Sequence, residues 1–381
     1  MDKKIVRRLL KWDVPEGKSV FLWGPRKVGK SYWISHELGP HVLIDLLKTD
    51  TYAQYASRPA LLREIFSDHQ GLIVIDEIQK VPALLDEIHW LIENSKCQFL
   101  LTGSSSRKLR RGHANLLAGR AWRRLMMPLS IREVEGWDLA QVMVSGLLPP
   151  HFLSVNPNED LRAYVADYLK EEIAAEAKEQ NIPAFAEFLR VAAMTSSELL
   201  NYTNVARESG ISQRTVRSYF EILEDTYLGF RLSPWKKSKT RRMIQVEKFY
   251  FFDVGVANFL ARRHPVPGNT DFGKSFEHYI LMEIRAFLQY QMPDCPINYY
   301  RSASGIEVDL ILGDREIAIE IKASSRVHEG DYKNFKALKE DGAVKKCLVV
   351  SLEENPRKIS ADTEVLGYKT FIERLWNKEY L

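Results

Sequence analysis

The chain has 381 residues, of which 45% are hydrophobic and 27% charged, and a formal net charge of +4. A chain of this length is too long for one ordinary hydrophobic core, so we expect about two or three domains. The hydrophobic share excludes a disordered chain. The small net charge gives no general argument for nucleic-acid binding. Because no apolar run approaches the roughly 18 residues of a membrane span, and the scattered Cys97, Cys295 and Cys347 form no disulfide framework, we expect a cytoplasmic protein.

The first part of the chain alternates short apolar segments with helical stretches, which is the pattern of a parallel α/β sheet. The expected strands are SVFLW (19–23), HVLID (41–45), GLIVID (71–76), QFLLTG (98–103) and WRRLMMPL (122–129). Pro149, Pro150 and the segment NPNED (156–160) then break the pattern. We therefore place a first domain at residues 1–150.

A phosphate-binding motif of the form GxxxxGK[ST] follows the first expected strand and opens a helix. Backbone N–H groups and the helix N-terminus would surround the phosphates of ATP, Lys30 would reach the β and γ oxygens, and Ser31 would hold Mg²⁺. The predicted nucleotide-binding residues are Gly24, Pro25, Arg26, Lys27, Val28, Gly29, Lys30 and Ser31.

Polar residues at the ends of two later strands support this prediction. Asp76 and Glu77 end an apolar strand, where Asp76 would bind Mg²⁺ through water and Glu77 would polarise the attacking water. Thr102 and Ser104 stand at the end of the next strand, where a polar side chain can sense the γ-phosphate. The alternative is a solvated strand end and an ordinary glycine turn. Three elements in the right order on successive strands favour ATP hydrolysis.

A basic segment, residues 107–124, holds seven Lys and Arg residues and no acidic one. Arg120 lies just before the fifth expected strand and fits an arginine finger that acts on a neighbouring subunit, because a guanidinium can neutralise charge developing on the γ-phosphate. A solvated basic face or a surface directed at DNA explains the same residues, and the sequence leaves these alternatives open.

The middle of the chain, residues 151–265, is expected to be mainly helical with a β-hairpin near 231–252. Within it, the segment 205–220 predicts a helix, a tight turn at Gly210 and a second helix capped by Ser212. The apolar face of the second helix comprises Val216, Phe220 and Leu223. Its other side, near the N-terminus where recognition helices contact DNA, carries Gln213, Arg214 and Arg217.

A basic wing could follow this helix–turn–helix. Residues 231–248 carry seven basic residues against one acidic residue. The residues expected to contact DNA phosphates are Lys236, Lys237, Arg241 and Arg242. Winged helices also serve as packing or oligomerisation modules, which is the competing interpretation.

The last part of the chain, after a linker at residues 264–273, predicts a helix at about 273–291, a strand, a β-hairpin, a helix, a strand and a C-terminal helix. Alternation with period two in the hairpin brings together Asp309, Glu320 and Lys322. Carboxylates that bind Mg²⁺ beside a lysine suit metal-dependent phosphodiester cleavage. The Glu-x-Lys pair alone is a weak signal, because a half-exposed strand readily places these residues two apart.

The motifs of the first domain resemble those of a family of bacterial and archaeal AAA+ ATPases. Its P-loop GPRxxGKS/T, its Walker B hhhhDEIQ, its LTGSS strand end and its L-x-GR segment before PLS stand here as GPRKVGKS, IVIDEIQ, LLTGSS and LAGR…MPLS. In that family a winged-helix module and a restriction-nuclease-like domain follow, so the resemblance covers nearly the whole chain.

The C-terminal pattern is similar to the PD-(D/E)xK nuclease superfamily, whose core is a helix, a three-stranded meander, a helix and a strand. Many members place an extra carboxylate on the first helix, where this chain has Glu277. The resemblance implies metal ligation by Glu277, Asp309 and Glu320. Val308 stands where a proline often precedes the aspartate, and such domains can also hold DNA without cutting it.

These observations predict an α/β protein with three domains: an AAA+ domain (1–150), a helical winged-helix domain (151–265) and a PD-(D/E)xK-like domain (266–381). The expected function is ATP- and Mg²⁺-dependent action on DNA by a homo-oligomer, of which a hexameric ring is one form. Branched DNA, such as a Holliday junction, is a substrate by analogy. The competing class is a signalling switch, in which the ATP state exposes a binding surface and the C-terminal fold binds a partner or DNA without cleavage.

Overall fold

The chain divides into two compact units in the computed structural model. The first comprises Met1–Glu135 with Glu221–Leu228, and the second comprises Gly136–Phe220 with Gly229–Leu381. The described residues are 6–107, 109, 117–166, 168, 181–236, 241–342 and 344–380. Among them, no helix combines the length and the apolar character that crossing a membrane requires.

The first unit contains a five-stranded parallel sheet with the strand order β2-β3-β4-β1-β5. The strands are β1 (Ser19–Trp23), β2 (Val42–Asp45), β3 (Gln70–Asp76), β4 (Lys96–Gly103) and β5 (Ala121–Leu125). All five expected strands are present. The fifth ends earlier than expected, shortly before Pro128, which has no N–H to donate to a sheet.

Four α-helices lie between the first four strands along the chain. They are α1 (Lys30–Glu37), α2 (Thr49–Ser57), α3 (Leu61–Phe66) and α4 (Leu84–Asn94). The central strands are buried, as their near-continuous apolar runs predict for a parallel sheet. Phe21, Ile75 and Leu101 are fully buried in the core of this unit. The middle of the sheet is therefore buried, and the polar side chains lie at the ends of its strands.

The second unit begins with helices that carry the predicted helix–turn–helix. Among the described residues up to 225, its helices are α5 (Leu139–Ser145), α6 (Pro149–Phe152), α7 (Pro157–Ala163), α8 (Ile182–Met194), α9 (Tyr202–Ser209) and α10 (Gln213–Asp225), the last of which continues into the first unit. Gly210 ends α9 with φ 70°, and the Ser212 hydroxyl accepts the Thr215 N–H at 3.1 Å. The two expected helices and the tight turn between them are therefore present.

An antiparallel hairpin and a mixed sheet complete the second unit. The hairpin pairs β6 (Gly229–Leu232) with β7 (Lys248–Phe251). The strands of the six-stranded sheet are β8 (Ile297–Arg301), β9 (Glu307–Leu312), β10 (Ile317–Lys322), β11 (Lys346–Ser351), β12 (Arg357–Lys358) and β13 (Thr363–Gly367). Their order in the sheet is β12-β13-β11-β10-β9-β8. The remaining helices are α11 (Val254–Ala261), α12 (Thr270–Gln291), α13 (Asn334–Glu340) and α14 (Tyr368–Trp376).

The strands β8, β9 and β10 form an antiparallel meander, and β10 pairs in parallel with β11. This reproduces the expected order of helix, meander, helix and strand. The sheet also contains β12 and β13, which the sequence analysis does not predict. The β9–β10 hairpin is more deeply buried than simple alternation predicts, since Ile311 and Glu320 are both almost fully buried.

Candidate functional site

The P-loop joins β1 to α1 at the carboxyl edge of the first sheet. Gly29 is the N-cap of α1 and adopts a left-handed conformation with φ 102°, which favours glycine. Gly24 lies so close to the backbone that an added Cβ would be 2.8 Å from the Met126 carbonyl oxygen. The two glycines of the motif are thus required by backbone conformation and by close packing.

The Lys30 side chain is buried inside this loop. Its Nζ donates hydrogen bonds to the carbonyl oxygens of Gly24, at 2.6 Å, and Pro25, at 3.0 Å. Burial lowers the pKa of Lys30 to about 8, although the carboxylates of Glu77 and Asp76 act in the opposite direction. The ammonium therefore lies within the loop that would enclose the phosphates, in surroundings where an added anion would stabilise its charge.

Asp76 joins the P-loop to two neighbouring strands. Its Oδ2 accepts a hydrogen bond from the Ser31 hydroxyl at 2.9 Å, and its Oδ1 accepts one from the Thr102 hydroxyl. Mg²⁺ in nucleotide sites is held by one or two protein oxygens together with substrate phosphates. The Ser31 hydroxyl and the Asp76 carboxylate fit that role, and Thr102 fixes the carboxylate from the other side.

Glu77 is oriented by two polar side chains. Its Oε2 accepts hydrogen bonds from the Gln79 side-chain amide and from the Ser104 hydroxyl, the latter at 3.1 Å. Glu77 has a left-handed backbone with φ 59°, a conformation that costs a non-glycine residue about 1–3 kcal/mol and often marks a functional site. The sequence analysis did not assign a role to Gln79, although Gln79 ends the quoted IVIDEIQ motif, and it expected Ser104 to sense the γ-phosphate rather than to contact Glu77.

Arg8 holds the P-loop through its backbone, and the sequence analysis did not predict this role. Its guanidinium donates to the carbonyl oxygens of Val28, at 2.6 Å, and Met127, at 2.7 Å. It also pairs with the buried Glu133 carboxylate at 3.0 Å. Glu133 in turn accepts the Ser130 N–H at 2.9 Å, within a capping box. One buried ion pair thus ties the N-terminal segment to the P-loop and to the PLS motif.

Arg120 lies at the amino end of β5, where its carbonyl oxygen accepts the Ser19 N–H at 3.3 Å. Its guanidinium pairs with the Glu93 carboxylate, and about a third of the Arg120 side chain is exposed. The P-loop follows the other end of β1, and a strand of 5 residues spans about 16 Å. Arg120 is therefore at the opposite edge of the sheet from the P-loop of its own chain.

The residues expected to contact DNA differ in their availability. Gln213, Arg214 and Arg217 are exposed at the start of α10, with the Arg217 guanidinium 4.2 Å from the ring centroid of Tyr202. Lys236 and Arg242 are exposed, whereas Lys237 lies outside the described residues.

Arg241 differs from these residues because its guanidinium has partners within the protein. Its guanidinium donates to the Ala337 carbonyl oxygen at 2.7 Å and to the Glu340 carboxylate at 2.8 Å. Those contacts engage the group within the protein, so phosphate contact by Arg241 stays a prediction and would require the guanidinium to leave these two partners.

Asp309, Glu320 and Lys322 lie together on the β9–β10 hairpin. The Asp309 carboxylate accepts the Ile321 N–H at 2.7 Å, and Lys322 Nζ lies 2.9 Å from Glu320 Oε2. Burial, together with the neighbouring Asp309 charge, raises the pKa of Glu320 well above its usual range. The convergence expected from strand alternation is therefore present, in surroundings that oppose a second negative charge.

Glu277 does not complete a metal centre with them. Its Oε1 accepts a hydrogen bond from the Tyr250 hydroxyl at 2.7 Å and lies 3.9 Å from Lys248 Nζ. The described part of the chain contains no group of three or more His, Cys, Asp or Glu side chains arranged to hold a metal ion. The implied set of Glu277, Asp309 and Glu320 is thus not assembled, because Glu277 is engaged by Lys248, which the sequence analysis did not consider.

Three parts of the chain match known families. Residues 16–135 match a family described as an AAA domain. Residues 136–266 and 272–371 match two families described as domains of unknown function, DUF8612 and DUF4143. The first match covers the P-loop, the Asp76 network and Arg120. Together with that geometry it identifies an AAA+-like P-loop domain and supports ATPase activity.

Two mycobacterial proteins are similar over most of the chain: Uncharacterized protein Rv2008c of Mycobacterium tuberculosis and Uncharacterized protein Mb2031c of Mycobacterium bovis. Each is 28% identical over 320 residues, which covers 80% of this chain and 70% of the relative.

Among solved structures, the Aeropyrum pernix ORC1 protein in complex with DNA is 11% identical over 64% of this chain and 86% of that chain, with a TM-score of 0.25. The Aeropyrum pernix ORC2 protein in its ADP form is 12% identical over 64% and 88%, with a TM-score of 0.31. With TM-scores this low, the assignment of the first unit depends on its own sheet, its P-loop and the family match.

Proposed function

We propose that this chain is a Mg²⁺-dependent ATPase of the AAA+ type that acts on DNA as a homo-oligomer. The observation that carries the proposal is the linked network at the strand ends, in which Ser31 and Thr102 both donate to Asp76 beside the buried Lys30. Bound Mg²⁺ would supply charge neutralisation at the phosphate oxygens. The remaining chemistry belongs to side chains of this protein.

In this proposal each side chain of the ATP site has a separate task. Lys30 provides the cation for the β and γ phosphates, and Ser31 with Asp76 would hold Mg²⁺. Glu77, fixed by Gln79 and Ser104, accepts the proton of the attacking water. The Thr102 hydroxyl donates to Asp76, and its oxygen accepts the Glu77 N–H at 3.4 Å. Thr102 can therefore transmit a change at the γ-phosphate to both acidic residues.

Assembly of several subunits is supported by the position of Arg120. An arginine at the amino edge of the sheet serves an ATP molecule bound to a neighbour, because its own P-loop lies beyond the opposite edge. Such a head-to-tail contact can close into a ring. Pairing with Glu93 holds the guanidinium at the surface until a phosphate competes for it.

DNA binding is assigned to the second unit on its helix–turn–helix and its exposed cations. Gln213 and Arg214 are exposed in the first turn of α10, directly after the Gly210 turn. Lys236 and Arg242 extend the basic surface, while Arg241 does not. The order of strands and helices after residue 270 supports a PD-(D/E)xK-like fold for the last part of the chain.

The test of this function is ATP turnover measured without DNA and with linear, single-stranded and branched DNA. We expect at least one DNA form to change the rate. Replacing Lys236 and Arg242 by serine should remove that change and lower the slope of binding against salt by about one unit per lost contact. Arg241→Ser, compared with Arg242→Ser alone, is the matched control of equal charge loss. An identical rate with every DNA, in protein that hydrolyses ATP, would refute action on DNA.

A second candidate is a switch in which ATP controls a binding surface and the C-terminal fold holds a partner or DNA without cutting. The engagement of Glu277 by Lys248 and Tyr250 favours it over a nuclease. Incubation of nicked and branched DNA with the protein and Mg²⁺ or Mn²⁺ separates the two. Metal-dependent cleavage that is lost in Asp309→Ala would refute the non-cutting alternative.

A further inference from the structure

A lysine side chain lies among the carboxylates of the C-terminal sheet. Lys248, the first residue of β7, is 4% exposed, and its Nζ lies 2.8 Å from Glu307 Oε1 and 3.9 Å from Glu277 Oε1. The carboxylates of Asp309 and Glu320 belong to the same neighbourhood, since Asp309 interacts electrostatically with Lys248 and with Glu320. Four acidic side chains on three elements therefore lie near the buried Lys248 ammonium, and a second ammonium, that of Lys322, pairs with Glu320.

Further contacts fix the lysine and its partners. Tyr250, two residues along β7, donates its hydroxyl to Glu277 at 2.7 Å. Arg301 pairs with Glu307 from the other side at 2.9 Å. The Lys248 ammonium is thus held by an ion pair with Glu307 and lies beside Glu277. A positive charge is therefore built into the region where the sequence predicts Mg²⁺.

Glu320 is enclosed within the cluster. It is 2% exposed, its Oε2 pairs with Lys322, and its carboxyl group also makes a side-chain contact with Asp309. Carboxylate oxygens are the ligands that divalent cations take in proteins, yet the cation beside Glu307 and Glu277 is the Lys248 ammonium.

We propose that Lys248 is a built-in counter-ion that closes the Glu277, Glu307, Asp309 and Glu320 cluster to divalent cations, and that removal of its charge opens the cluster to Mn²⁺ or Mg²⁺. A divalent cation bound by Glu307 and Glu277 would have to lie within a few ångströms of the ammonium, where like charges repel in a poorly solvated region. The proposal concerns the second unit and does not depend on the proposed ATPase function.

The experiment measures Mn²⁺ binding to the full-length chain without nucleotide, in an Asp76→Asn background that removes the acidic ligand of the P-loop. Free Mn²⁺ is quantified by its electron paramagnetic resonance signal, and thermal unfolding is followed with and without Mn²⁺. Lys248→Met removes the charge and keeps the length of the side chain, whereas Lys248→Arg keeps the charge. We expect Lys248→Met to bind Mn²⁺ on the order of a hundredfold more tightly than the parent chain and than Lys248→Arg.

A second substitution locates the site. Adding Glu307→Gln to Lys248→Met should abolish the tight binding and the thermal stabilisation by Mn²⁺. If Lys248→Met unfolds in metal-free buffer, Mn²⁺ should restore its folding, because the metal then replaces the lost counter-charge.

Three results overturn the proposal. One is a parent chain that binds Mn²⁺ as tightly as Lys248→Met in a way that depends on Glu307. Another is a folded Lys248→Met protein with no gain in affinity. The third is an unfolded variant that saturating Mn²⁺ does not rescue.

Discussion

Arg8 offers a direct test of how the P-loop is held in place, through the substitution Arg8→Ala. The Arg8 and Glu133 side chains are 3% and 0% exposed, and they form an ion pair at 3.0 Å. Removing one partner of such a buried pair leaves the other charge uncompensated, which costs about 3–5 kcal/mol. The Val28 and Met127 carbonyl oxygens lose their charged donor as well, so the P-loop should also bind ATP less tightly.

The magnitude is large compared with the total stability of a domain, which is about 5–15 kcal/mol. We therefore expect Arg8→Ala to fold only marginally at room temperature. Glu133→Gln in the same chain should recover part of the loss, because it removes the unpaired buried charge. The two single variants and the double variant form a cycle whose coupling energy we place at about 2 kcal/mol or more.

The assay is urea denaturation followed by tryptophan fluorescence, with ATP affinity measured on the same preparations. Arg8→Lys is the control, because it keeps the charge but cannot reproduce the forked contact to two carbonyl oxygens and a carboxylate. A loss below about 1 kcal/mol in Arg8→Ala, which is typical of an exposed ion pair, would refute the reasoning. Additive effects of the Arg8 and Glu133 substitutions would refute it as well.

Three further predictions concern catalysis, assembly and pH. Lys30→Ala should abolish ATP binding in an equilibrium titration, whereas Glu77→Gln should bind ATP normally and hydrolyse it slowly; normal turnover in Glu77→Gln would mean that the base lies elsewhere. Arg120→Ala should bind ATP with little turnover, and mixing it with Glu77→Gln should restore part of the rate, because one type of interface then keeps both working groups; no recovery in co-assembled mixtures would exclude a shared site. Burial raises the pKa of Asp253 to about 6, so the folded second unit favours the protonated carboxyl and loses stability as the pH rises from about 4 through 6. The pH dependence of the unfolding midpoint across this range should be weaker in Asp253→Asn. An unchanged pH dependence would assign the effect to another group.

The sequence predicts the first sheet and its P-loop well because their signals are local. A buried parallel strand is a short apolar run, and Gly24, Gly29 and Lys30 have fixed spacing. Asp76 and Thr102 follow from the rule that parallel strands present their ends at one edge. Each of these inferences needs only a few consecutive residues and the order of the strands.

The residues that the sequence does not reveal act over long distances along the chain. Arg8 reaches Glu133 across 125 positions, and Lys248 reaches Glu307 from a different supersecondary element. Nothing in the immediate sequence of either residue marks it as buried and paired. Arg241 shows the same limit, since a run of basic residues suggests a solvated surface, whereas its guanidinium contacts the end of α13.

The two acidic centres of this chain are compensated in different ways, and that difference bears on where a metal ion can bind. Asp76 accepts hydrogen bonds from the hydroxyls of Ser31 and Thr102, and the Lys30 ammonium nearby donates to loop carbonyl oxygens. Hydroxyl donors can turn to become ligands, so this carboxylate can accept Mg²⁺ without losing a salt bridge. Glu307 is paired with two cations, Lys248 and Arg301, and a metal ion there would have to replace a charge that is already present. Mg²⁺ is therefore expected with the nucleotide in the first unit, whereas in the second unit the resting cluster keeps its own cation.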